Sequence, residues 1–148
     1  MLVSDELIKT LEIKFVDAKI YYRPIRIDGS QELITITSSL NFFSISDMLY
    51  IASGVLDRQG IDINETGFRY PSDELDPGEE PLKSVKIYNP TFGKVQLNIS
   101  TFENLMCRYF RAIIVETEKQ NSNLKEKSWW SKFIEITEQI EQRLKQKP

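Results

Sequence analysis

Apolar and polar side chains alternate near the start of the chain. In Leu11-Glu12-Ile13-Lys14-Phe15 and again in Lys19-Ile20-Tyr21-Tyr22-Arg23, β-branched and aromatic residues recur two apart, the period of a half-buried strand. Leu7, Leu11 and Phe15 also recur at four-residue spacing, so residues 5–17 admit a helix as well, with the strand favoured. Pro24 cannot donate a ladder hydrogen bond and marks an edge strand or a bulge. Asp28-Gly29-Ser30 reads as a turn, and Leu33-Ile34-Thr35-Ile36-Thr37 as the returning strand. Ser44 with Asp47 forms a capping-box pattern before Ile45, Met48, Leu49, Ala52, Val55 and Leu56, a helical stripe that stops at Gly60.

From Ile61 to Leu82 the periodicity dissolves among Gly67, Pro71, Pro77, Gly78 and Pro81, which predicts a long irregular connection. Ser84–Tyr88 and Lys94–Ile99 then alternate around Asn89-Pro90-Thr91-Phe92-Gly93, a second hairpin. Ser100, three residues before Glu103, opens the clearest helix, with Phe102, Leu105, Met106, Tyr109, Phe110, Ile113 and Ile114 on one stripe. A polar linker, Lys119 to Lys127, precedes a last helix that carries Trp129, Phe133, Ile136, Ile140 and Leu144, with Glu141 and Lys145 as an i,i+4 pair. These elements predict one α+β domain over residues 1–148. Its antiparallel sheet of two hairpins comes from segments near 11–37 and 84–99, packed by about three helices near 45–58, 101–118 and 128–145.

Composition narrows the function more than the fold. A chain of 148 residues is the size of one domain, able to bury about 68–70% of its unfolded surface. Nineteen basic against 22 acidic residues leave a net charge of −3, which disfavours nucleic acid and anionic membrane as partners and favours a basic one. The absence of histidine removes the usual general base, the histidine-containing triads and the commonest zinc ligand. The six glycines are scattered, so no phosphate-cradling loop can be assembled. One cysteine, Cys107, cannot form an internal disulfide, and the amino terminus lacks a basic leader, which together read as a cytoplasmic protein. Cys107 lies beside an apolar stripe next to Arg108 and reads as a small core filler rather than a nucleophile. Neither cofactor nor metal is expected.

Three local features carry candidate chemistry. Five carboxylates, Asp73, Glu74, Asp76, Glu79 and Glu80, fall within Ser72–Glu80, and Pro71, Pro77 and Pro81 restrict the same segment. The spacing departs from a calcium-binding loop, so the segment reads either as a solvated loop or as an acidic surface for a basic partner, with Tyr70 as a rim anchor. Asp5 with Glu12-Ile13-Lys14 has the outline of a magnesium-dependent nuclease motif, against which stands the plain solvent face of an alternating strand. Trp129-Trp130 and Tyr21-Tyr22 each offer one ring to the core and one to a surface.

The run Val85-Lys86-Ile87-Tyr88, its hairpin, and Val95 through Tyr109, followed by the Trp129/Trp130–Phe133 helix, resembles the back half of small bacterial immunity proteins of contact-dependent growth inhibition and related polymorphic toxin systems. The resemblance covers roughly the last two-fifths of the chain. It implies a cytosolic, non-enzymatic inhibitor that neutralises one cognate toxin by binding, with acidic residues facing a basic active site. The alternatives are a carboxylate-based metal-dependent nuclease or hydrolase, and an adaptor unrelated to toxins.

Overall fold

The computed structural model describes residues 2–21, 23–73, 75, 77–79, 83–120 and 126–146. The fold is α+β. Strands β1 (Leu2–Val3), β4 (Ile61–Ile63), β5 (Thr66–Arg69), β6 (Val85–Asn89) and β7 (Gly93–Leu97) make a five-stranded sheet in the order β1-β7-β6-β5-β4. All its pairs are antiparallel except β1 with β7. Strands β2 (Glu12–Phe15) and β3 (Ile25–Asp28) form a separate antiparallel hairpin. The helices are α1 (Asp5–Ile8), α2 (Ala18–Tyr21), α3 (Ile34–Phe42), α4 (Met48–Asp57), α5 (Ile99–Lys119) and α6 (Trp130–Lys145).

The β2 alternation, the β6–β7 hairpin and helices α4, α5 and α6 lie where the periodicities place them. Residues 5–17 satisfy both readings in turn, with a one-turn helix and then a strand. Phe110, Phe133 and Ile140 are fully buried between α5 and α6, and α4 packs against both. Trp130 rather than Trp129 takes the core seat: its ring lies 5.5 Å from that of Phe133, with Trp129 half-buried beside it. Ser44 and Asp47 do meet, the Ser44 amide donating to the Asp47 carboxylate at 3.3 Å.

Other expectations are corrected. Leu33–Thr37 is not a returning strand but a short turn of 3-10 helix leading into α3. Leu33, Ile36 and Leu40 fall on one buried stripe, and the hydroxyls of Ser38 and Ser39 bond back to the carbonyls of Ile34 and Thr35. Packing of that stripe overrides the β-preference of isoleucine and threonine. The Ile61–Leu82 stretch opens with the β4–β5 hairpin, whose two-residue turn holds Asn64 and Glu65 at φ 50° and 67°. Lys19–Arg23 is not a strand, since α2 runs to Tyr21 and β3 begins only after Pro24; Tyr22 lies outside the described residues. The two expected hairpins do not share a sheet, and β1 adds a parallel edge. At α5, Ser100 is not the cap: the helix begins at Ile99 behind Asn98, and Glu103 is buried. Glu141 reaches across to Arg111 of α5, its Oε2 accepting from Nε at 3.0 Å.

Candidate functional site: two carboxylate settings around Tyr70

The acidic segment leaves the sheet at the end of β5. Tyr70 follows the strand directly, and the loop returns on itself at Asp73, whose amide donates to the Tyr70 carbonyl at 3.1 Å. The Asp73 carboxylate accepts from the Tyr70 amide at 2.7 Å and from the Gly60 amide at 3.0 and 3.1 Å. Ser72 donates to the Arg58 carbonyl at 3.2 Å, so the loop is fastened to the end of α4. Gly60 is required at this junction: a Cβ there would stand 2.5 Å from the Phe68 carbonyl oxygen and 2.6 Å from Asp73 Oδ2. Further along, both oxygens of Glu79 accept from Arg69 Nη1 at 2.9 and 2.7 Å, and Lys86 Nζ stands 4.0 Å away. Leu75 between these anchors is 41% exposed. Glu74, Asp76 and Glu80 lie outside the described residues, as does Pro81.

Tyr70 is not a rim anchor. It is 1% exposed, its ring packed edge-on against Phe68 and Phe102, because the residue after β5 still follows the inward side of the sheet. Its hydroxyl donates to Glu103 Oε2 at 2.8 Å.

Glu103 is the residue that the sequence pattern did not single out for this role. Fully buried on α5, it accepts from Arg58 Nε and Nη2, both at 3.0 Å, and from Arg143 Nη2 at 3.0 Å, in addition to Tyr70. Arg58 sits just past α4 in the left-handed region at φ 52°, which turns its side chain back towards α5. Arg143 of α6 also donates to the carbonyls of Leu56 and Val55 at 2.7 and 3.1 Å, satisfying the open end of α4. Burial alone would raise the Glu103 proton affinity. The hydrogen bonds from Arg58 and Tyr70 and the charges of both arginines outweigh it and hold the carboxyl below its ordinary value. A signal existed: position 103 lies three before Met106 and seven before Phe110, inside the apolar stripe.

Burial moves the protons of two neighbouring groups as well. Burial, followed by the charge of Glu103, pushes the Tyr70 hydroxyl far above its usual range. The buried Cys107 thiol is pushed up to about 12, first by burial and then by Glu141 and Glu103, which makes the reactive thiolate scarce. Its neighbour Arg108 turns to the Leu11 carbonyl. Asp5 pairs with Lys9 at 3.3 Å and Lys14 with Asp28 at 2.9 Å, and among the described residues Glu12 makes no side-chain bond. Among the described residues no three His, Cys, Asp or Glu side chains converge on a point where a metal ion could sit. No protein-family model, curated protein or solved structure matches the chain.

Proposed function

We propose that this protein is an immunity-type inhibitor of the cytoplasm, which neutralises a basic toxin domain by forming a complex with it and performs no catalysis of its own. The observation that carries the reading is the anchored acidic segment. Asp73 is held by the Gly60 and Tyr70 amides and Glu79 by Arg69, and the same stretch of sequence carries Glu74, Asp76 and Glu80. A restrained loop loses less conformational freedom on association, and like charges concentrated on it steer a basic partner. The roles within the segment are therefore divided: Asp73 and Glu79 position it, while Glu74, Asp76 and Glu80 supply charge for recognition. The net charge of −3 and the hairpin-to-helix run from Val85 to Tyr109 support the same reading.

The test is co-expression with the product of the gene directly upstream, which the proposal expects to be a toxin. Growth restored by the wild-type chain is the expected result. A neighbouring gene with no toxic product, or toxicity that persists in the presence of the folded chain, overturns the proposal.

A further inference from the structure

The two outer edges of the β2–β3 hairpin are finished very differently. Glu12, Lys14 and Val16 pair with Asp28, Arg26 and Pro24, the Val16 amide donating to the Pro24 carbonyl at 2.9 Å. Because ladder hydrogen bonds alternate along an antiparallel pair, Ile13 and Phe15 turn their amides and carbonyls away from β3, as Ile25 and Ile27 turn theirs away from β2. On β3 three of those four groups are taken. The Asn41 carboxamide accepts from the Ile27 amide at 2.9 Å and donates to its carbonyl at 2.8 Å, imitating a further strand, and Arg23 Nε donates to the Ile25 carbonyl at 3.0 Å. On β2 no described residue bonds to the outward amides and carbonyls of Ile13 and Phe15.

Beside the open edge lies a cleft of about 440 Å³ lined by Phe15, Val16, Asp17, Lys19, Glu116 and Gln120. Phe15 is 57% exposed although it shares a face with the buried Ile25 and Ile27. Gln120 braces the wall, accepting from the Ala18 amide at 2.9 Å and donating to the Val16 carbonyl at 2.8 Å. Glu116 is left short of donors. Among the described residues its Oε1 receives only Gln120 at 3.3 Å, and its Oε2 is shut off from solvent with no hydrogen-bond partner. A carboxylate oxygen deprived of both water and a donor is costly, and a cationic donor arriving from outside would relieve it.

We infer that the outer edge of β2 receives an extended segment of a basic protein partner, whose main chain pairs with Ile13 and Phe15 and whose lysine or arginine enters the cleft to donate to Glu116 Oε2. The inference rests on the proposed basic partner and adds a second contact to the acidic segment. A second copy of this chain fits less well. The self-pairing register that uses both open residues of each strand sets the two Lys14 side chains against each other, and Leu11 is already spent on Ile8 and Arg108.

The probe is a capped peptide of sequence Thr-Arg-Val-Thr-Val-Lys-Thr, added to the full chain while amide exchange is followed by NMR. In the free protein the Ile13 and Phe15 amides should exchange much faster than those of Lys14 and Val16, their bonded neighbours. Saturating peptide should slow Ile13 and Phe15 by about tenfold or more, and the same peptide N-methylated on its alternate amides should not. Glu116→Gln should weaken peptide binding by about tenfold, with the exchange pattern of the free protein unchanged. The inference is overturned if Ile13 and Phe15 are already slow in the free protein, if both peptides protect equally, or if about 1 mM peptide produces no shift. Protection confined to Tyr70–Glu79 also overturns it, while leaving the basic-partner reading intact. Failure of that reading shows separately, in the growth assay.

Discussion

Tyr70 touches two carboxylates, one through its hydroxyl and one through its amide, and the two have opposite consequences. Glu103, reached by the hydroxyl, is buried and collects donors from α4, α6 and the end of β5. Asp73, reached by the amide, stands at the start of a surface segment and binds only main chain, at Tyr70 and at Gly60. A carboxylate in the interior needs all of its acceptor sites filled and becomes a joint between elements. A carboxylate at the surface needs fewer, so it can shape a loop while the charges around it remain for a partner.

The largest effect should come from Glu103→Ala. The substitution strips Arg143 and the Tyr70 hydroxyl of their buried acceptor, and the expected loss is about 3–5 kcal/mol in reversible urea unfolding. A loss below about 1 kcal/mol would erase the distinction drawn between the two settings.

Acid sharpens the same contrast. Because the Glu103 carboxyl is held below its ordinary value of 4.5 in the fold, its contribution is complete above that value and is lost as pH falls through the lowered folded one. Unfolding free energy should therefore decline more steeply below about pH 4.5 in wild type than in Glu103→Gln. Parallel slopes would mean that the carboxylate gains nothing from its arginines.

Asp73→Ala comes next. It leaves the Gly60 and Tyr70 amides without their acceptor, and the expected cost is about 1–3 kcal/mol, with faster exchange of both amides. The smallest effect belongs to Asp28→Asn. Arg26 and then Lys14 hold the Asp28 carboxyl below its usual value, but the pairs are half-exposed, so thermal unfolding should move by no more than about 1 kcal/mol.

What could be read beforehand follows from how much chain each element had in which to show its period. α5 repeats its stripe over 21 residues and α6 over 16, and the β6–β7 hairpin carries turn residues between two alternating runs. β4 and β5 have three and four residues, too few to display alternation amid the surrounding glycines and prolines. α3 hides behind β-branched residues that only its packing against β6 and β3 makes helical. The acidic segment was visible as a cluster of charge, but the inward turn of Asp73 and Glu79 and the burial of Tyr70 depend on Gly60, Arg69 and Glu103, which come from other elements. The difference between the two edges of the β2–β3 hairpin was equally hidden, because it depends on Asn41 and Arg23.

The most direct test of the central claim is the association rate of the chain with the product of the neighbouring gene, compared for wild type and the Glu74→Lys, Asp76→Lys, Glu80→Lys variant at low and high salt. At about 50 mM salt the variant should associate at least about tenfold more slowly, and near 0.5 M the two rates should converge as screening shortens the reach of the loop's charge. Equal rates at low salt, or no complex with wild type, would contradict the account.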